Sequence, residues 1–144
     1  MPPAIQLTRA RRPAHRSGAC GGYARRVPGI GLDLLRIDRL ERALERRPAL
    51  AERLFTDGER RYAQSQSRPG QHLAARFCAK EAVTKALRLD VLRPLDIEVL
   101  SGDGGVPELF LHGAVAEHAA HAGLSVEVSL THEGDLAAAV AVAA

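Results

Sequence analysis

Gly29-Ile30-Gly31-Leu32-Asp33-Leu34-Leu35-Arg36-Ile37-Asp38-Arg39-Leu40 changes its apolar period partway through. Ile30, Leu32 and Leu34 alternate with Gly31 and Asp33, the two-residue repeat of a half-buried strand. If those aliphatics face the core, Asp33 faces the other way. From Ile37 the repeat lengthens: Ile37, Leu40, Ala43 and Leu44 recur at helical spacing, while Arg36, Arg39, Arg42, Arg46 and Arg47 fill intervening positions. The pattern predicts a strand that feeds an amphipathic helix with a basic outer side. Glu41 and Glu45 interrupt that row, so Arg46 and Arg47 read equally well as a solvated face.

Downstream, Pro48 suits the first turn of a short second helix. Thr56-Asp57-Gly58-Glu59 has the capping-box spacing that opens a third. Arg68-Pro69-Gly70 breaks the chain, and a longer helix is expected from about Gln71 to Leu89 with Leu73, Phe77, Thr84 and Leu87 or their neighbours on its inner side. Leu95, Ile97 and Val99 restore the two-residue period, glycines at 102–105 make a turn, and Leu109 to Leu111 supplies a return strand. Gly113 to His121 reads as an Ala-rich helix stopped by Gly123. Leu124, Val126, Val128 and Leu130 alternate once more, Glu133-Gly134 turns, and Leu136 to Val142 is a closing strand. Strand, helices, two strands, helix, two strands is not the regular alternation of a doubly wound sheet. It favours an α+β domain in which an antiparallel-rich sheet packs against helices.

Composition narrows the function. The chain has 144 residues, room for one core of ordinary domain size. Aromatic residues make up 3% and Trp is absent, leaving little material for stacking platforms, so a nucleic-acid partner is not expected. The formal charge of +3 is uneven: residues 1–28 hold six Arg and no acid. Without those six, 14 basic residues face 17 acidic ones, a net of −3, so the basic balance belongs to an appendage. Residues 1–28 mix Pro, Gly and Arg without periodicity and read as a disordered basic extension, with residues 29–144 as the folded domain. A basic arm, a targeting segment or a translation start set too far upstream are the other readings of that stretch. Cys20 and Cys78 show neither zinc-site nor disulfide spacing, which fits a reducing cytoplasmic setting. No apolar run approaches the roughly 20 residues of a membrane span.

Chemistry is carried by a carboxylate on a strand (Asp33), a second on a helix (Glu81) flanked by Lys80 and Lys85, and a His at a strand end (His132). Two carboxylates with positions left open for phosphate oxygens are the usual protein share of a Mg²⁺ site. On spacing alone Glu81 and Lys85 read first as an i,i+4 surface pair, and His132 as a residue that bonds a turn. His112, His118 and His121 lack a third metal-ligand pattern and are assigned to the surface. Cys78, within an Ala-rich stretch, reads as a small buried residue.

Three stretches in order resemble one family. Gly29 to Leu40 is similar to the opening strand and helix of the holo-acyl-carrier-protein synthases, a group of 4'-phosphopantetheinyl transferases. Arg76-Phe77-Cys78-Ala79-Lys80-Glu81-Ala82-Val83-Thr84-Lys85-Ala86-Leu87 resembles their second signature, and Val128-Ser129-Leu130-Thr131-His132 their final strand. The resemblance implies Mg²⁺ held by Asp33 and Glu81, and phosphates of coenzyme A held by Lys85 and Arg76. It places His132 beside the diphosphate or nucleotide, and implies that Arg36, Arg39 and Arg42 receive an acidic apo-acyl carrier protein. A carrier-protein Ser would attack the phosphorus attached to pantetheine and 3',5'-ADP would leave, with Glu81, His132 or a metal-bound water as the base. It further implies a homotrimer with sites between subunits, serving fatty acid biosynthesis and so lipid metabolism, or else polyketide synthesis.

The match departs from the family pattern in three places. Leu87 to Pro94 has no Gly where a Gly-rich loop wraps coenzyme A, Arg36 stands where an acid is common, and the hairpin reads Gly105-Val106-Pro107. Two other readings compete. One is a non-catalytic relative that binds carrier protein or coenzyme A; the other is a nucleic-acid-associated domain that uses the Arg-rich extension.

Overall fold

In the computed structural model, which describes residues 28–144, strand β1 (Gly29–Arg36) runs straight into helix α1 (Ile37–Arg46), as the change of period at Ile37 predicts. The expected extension over residues 1–28 lies outside the described residues except for Pro28, and Cys20 lies outside them too. Helices α2 (Leu50–Leu54), α3 (Asp57–Gln64) and α4 (Pro69–Ala86) follow. Strands β2 (Ile97–Ser101) and β3 (Pro107–Leu111) form a hairpin, helix α5 (Gly113–Ala122) comes next, and β4 (Val126–Glu133) and β5 (Leu136–Ala143) close the chain. The observed class is the expected α+β. The strands form two antiparallel sheets, β1-β5-β4 and β2-β3.

Local signals explain most boundaries. Thr56 caps α3 by accepting from the Glu59 N–H at 3.3 Å, and the Glu59 carboxylate accepts from the Thr56 N–H at 2.9 Å. Such a cap contributes about 1 kcal/mol. Gly123 ends α5 at φ +64°, with the Leu124 N–H reaching back to the Ala119 carbonyl and the Gly123 N–H to that of Ala120. That is the Schellman arrangement, in which a left-handed residue lets the chain satisfy the last carbonyls.

Helix α4 ends three residues short of the expected Leu89, and the reason is the same motif with an unusual residue in it. The Leu89 N–H donates to the Thr84 carbonyl and the Arg88 N–H to that of Lys85, with Arg88 itself at φ +55°. Its inner side falls on Thr84, Leu87 and the neighbours of the other two expected residues. Thr84 and Leu87 are buried, but Leu73 and Phe77 are only partly covered, and Ala74, Ala75, Ala79, Ala82 and Ala86 supply most of the contact.

The larger correction concerns β1. Ile30, Leu32 and Leu34 do not face the core; they are 68%, 64% and 62% exposed, and Gly29, Gly31 and Asp33 face α4 instead. Space decides this. A Cβ on Gly31 would lie 1.8 Å from the Ala82 carbonyl oxygen, and one on Gly29 2.0 Å from that of Ala86. On β5, Ala137, Ala139, Ala141 and Ala143 likewise turn inward while Leu136, Val140 and Val142 turn out. The smallest residues of sheet and helix meet, so α4 lies close against β1 and β5. Register pairs Ile30 with Val142 and Leu32 with Val140, making the outer face of this sheet a continuous apolar strip.

Candidate active site

Because β1 turns Asp33 toward α4, its carboxylate meets the last turns of that helix. Lys85 Nζ donates to Asp33 Oδ1 at 2.8 Å and to the Leu32 carbonyl at 2.9 Å. Glu81, one helical turn before Lys85, lines the same cleft as Asp33, Arg39 and Phe77, a space of about 410 Å³. Burial pushes the Glu81 carboxyl up, the negative charge of Asp33 adds to this, and Lys85 draws it back. The hydrogen bond to Asp33 holds the Lys85 ammonium above the usual lysine range. Two carboxylates sharing a cleft repel each other unless a cation lies between or beside them.

Asp33 and Glu81 offer hard carboxylate oxygens, the donor type that Mg²⁺ takes when water and substrate phosphate complete its shell. Among the described residues no group of three or more His, Cys, Asp or Glu is placed to hold an ion.

Arg76 and His132 lie elsewhere. They line a second cavity of about 340 Å³ with Tyr62, His72 and Ser101. Arg76 is buried at 4% exposure: Nε donates to the Val99 carbonyl at 2.9 Å, Nη1 to that of His72 at 3.3 Å and Nη2 to Ser101 Oγ at 3.2 Å, over the face of Tyr62 at 4.1 Å. Burial lowers its pKa, with Tyr62 and Glu59 opposing. Three of its N–H groups are thus engaged in tying α4 to β2 and to itself. His132 Nε2 is 3.0 Å from Gln71 Nε2, and its ring meets His72 edge-on at 5.9 Å. Gln71 and Glu81 are separated by roughly 15 Å of helix at the standard rise. A single chain therefore gathers Asp33, Glu81 and Lys85 in one patch and Arg76 with His132 in another.

At the end of β1, Arg36 bonds Asp38 at 3.1 Å and pairs with Asp135 at 3.2 Å, and on α1 Arg42 pairs with Asp38 at 2.9 Å. Arg39 projects beside Asp33 and Glu81 and is exposed. Lys80 takes no part in either patch: its side chain is wholly buried, 2.8 Å from Glu59. His118 and His121 are exposed as expected, and His112 pairs with Glu98 at 3.1 Å. Tyr62 and His72 carry no motif of their own; only the four-residue spacing of His72 and Arg76 on α4 hints that they share a face.

Comparison with known proteins shows the family. A family model described as the 4'-phosphopantetheinyl transferase superfamily matches residues 29–141. The holo-[acyl-carrier-protein] synthase of Frankia casuarinae is 47% identical over 119 residues, covering 81% of this chain and 97% of that protein. Its counterpart in Moorella thermoacetica is 45% identical over 114 residues, covering 77% and 89%. Among solved structures, the ACPS-CoA complex of Chronobacterium ammoniagenes superposes with a TM-score of 0.74 at 31% identity, covering 82% of this chain and 97% of that one. The matched residues include Asp33, Arg76, Glu81, Lys85 and His132, and the chain belongs to the 4'-phosphopantetheinyl transferase superfamily, among its holo-acyl-carrier-protein synthases.

Proposed function

We propose that this chain is a magnesium-dependent holo-acyl-carrier-protein synthase that moves 4'-phosphopantetheine from coenzyme A to a serine of apo-acyl carrier protein. The observation that carries this reading is the convergence of Asp33, Glu81 and Lys85 in one cleft beside Arg39, in a chain of this family. Asp33 and Glu81 would hold Mg²⁺, whose charge, when it is bound, offsets that of the diphosphate oxygens. Lys85 adds a positive charge to the same oxygens, and Arg39 lies where an acidic partner would approach. The serine oxygen bonds to the phosphorus attached to pantetheine as that phosphorus parts from the oxygen of 3',5'-ADP, and the hydroxyl proton passes to a base. In one chain Glu81 is the candidate base beside Asp33 and Lys85; His132 is on the other patch.

The reading includes a homotrimer with sites between subunits. Its support is the exposed apolar strip of Ile30, Leu32, Leu34, Val140 and Val142, a surface of the kind that marks an interface. A second support is topological: β1 and β4 form opposite edges of the sheet. A head-to-tail ring would set the Asp33 patch of one subunit near the His132 patch of the next. Residues 29–144 are the catalytic domain in this account, and residues 1–28 are dispensable for transfer. The account places the protein in the cytoplasm and its product in fatty acid biosynthesis, and so in lipid metabolism. Among the described residues no helix is long and apolar enough to cross a membrane.

Intact-mass analysis of apo-acyl carrier protein incubated with coenzyme A, Mg²⁺ and this chain tests the proposal. A phosphopantetheine mass gain is expected, lost on chelation of the metal, and slowed by roughly 10²- to 10³-fold in Asp33→Ala and Glu81→Ala. No gain on several carrier proteins from a folded sample would favour the non-catalytic binder instead.

A further inference from the structure

Lys85 faces the wrong way for a phosphate-binding residue. Its ammonium has three N–H donors, and β1 holds two of them, on Asp33 Oδ1 at 2.8 Å and on the Leu32 carbonyl at 2.9 Å. Among the described residues no other cation bonds Asp33. The side chain is still 49% exposed, and its flexible four-carbon stem lets the ammonium swing into the cleft.

The geometry points to Lys85 as the resident cation of Asp33, exchanged for a divalent ion when one binds, so that metal uptake releases the ammonium for the substrate's diphosphate. This rests on the reading that Asp33 and Glu81 form the Mg²⁺ site. Before exchange, the lysine relieves the repulsion between two carboxylates in one cleft, and its own charge is unavailable to an anion. After exchange, the cleft carries both the metal charge and a free ammonium. Coenzyme A therefore binds weakly without metal for two reasons, since both positive charges are missing together.

The chain offers a direct probe, because Lys80 and Lys85 are its only lysines. Lys80 is wholly buried and bonded to Glu59, to the Pro94 carbonyl and to the Ile97 carbonyl, so it serves as an internal control for folding. The experiment is the rate of reductive methylation at each lysine, followed by peptide mass spectrometry on the full chain without coenzyme A or carrier protein. Calorimetric titration of Mg²⁺ runs in parallel. Asp33→Asn should speed Lys85 labelling severalfold without metal; Mg²⁺ should speed the parent chain by a similar factor and leave Asp33→Asn unchanged; Lys80 should stay slow throughout.

An Asp33→Asn rate equal to that of the parent overturns the inference, since the lysine is then not held by Asp33 in solution. A parent rate that Mg²⁺ leaves unchanged, while calorimetry shows the ion binding and Asp33→Asn abolishing it, overturns the exchange and leaves the metal site standing. Uptake of Mg²⁺ only with coenzyme A present does the same. No uptake under either condition overturns the metal reading itself, and the exchange with it.

Discussion

Lys80 and Glu59 form an ion pair at 2.8 Å in which neither side chain reaches solvent. The pair is fully provided with partners. Glu59 accepts from the Thr56 and Val99 N–H groups, and Lys80 donates to the Pro94 and Ile97 carbonyls. Burial lowers the Lys80 pKa and Glu59 opposes that. The pair joins α3, α4 and β2, and its role is architectural although Lys80 stands next to Glu81 in the most specific motif of the chain.

Lys80→Met should therefore cost about 3–5 kcal/mol of stability, because it leaves the Glu59 charge buried alone. Lys80→Met with Glu59→Gln should recover part of that loss. Urea unfolding of both single variants and the double variant measures the coupling. A Lys80→Met loss below about 1 kcal/mol would contradict the assignment.

Arg88 takes a left-handed conformation in the same helix-ending motif that Gly123 provides for α5. A side chain there clashes with its own backbone. Arg88→Gly should raise stability by roughly 0.5–1 kcal/mol, the relief being partly offset by the freedom glycine gains when unfolded. Gly123→Ala should lower it by about 1 kcal/mol. Thermal and chemical unfolding midpoints, moving in opposite directions for the two variants, check this.

Gly31 leaves no room for a methyl group, and the obstacle is the Ala82 carbonyl, which cannot rotate aside. Gly31→Ala should cost about 3 kcal/mol or more, as overpacking against backbone does. The same change at Gly104, which meets nothing within 4 Å, should show only the penalty of its positive φ. Equal losses at the two sites would mean that α4 does not lie against β1 as described.

His72 binds protons less readily in the fold, first because it is partly buried and then because Arg76 and His132 oppose its charge. The unfolded chain, with an ordinary imidazole near 6.5, takes up the proton first, so acid favours unfolding. Stability should fall as pH drops through that value and level off below the folded pKa. His72→Phe keeps a ring against Tyr62 and His132 and should show a smaller fall in thermal midpoint between about pH 7.5 and about pH 5. A drop identical to that of the parent would rule His72 out as the source.

How much of this the sequence disclosed depends on whether a signal was local. The capping box at Thr56 and Glu59, the stop at Gly123 and the order of elements were all legible, because each depends on neighbours along the chain. The face of β1 was not. Alternation shows that Ile30, Leu32 and Leu34 share a side, but the side is settled by the approach of the α4 backbone, which only glycine admits. The end of α4 was missed because arginine at a left-handed position sends no local signal. Asp33, Glu81 and Lys85 were identifiable as a group through one signature and one strand. The distance between Glu81 and His132 was not, since it depends on β5 inserting between β1 and β4.

That insertion bears on how the chain is made. The last strand of the domain in chain order is the central one of its sheet, with Gly29 paired to Ala143. Until Leu136–Ala143 is synthesised, β1 has no hydrogen-bonding partner and the alanine face of α4 has no floor. Pairings between such distant parts of a chain form slowly, and a message truncated before codon 136 would yield a protein lacking the piece on which both ends of the sheet depend. Folding of this sheet thus waits on the segment that comes last in the domain, and the pairing of Gly29 with Ala143 cannot form before Ala143 has been made.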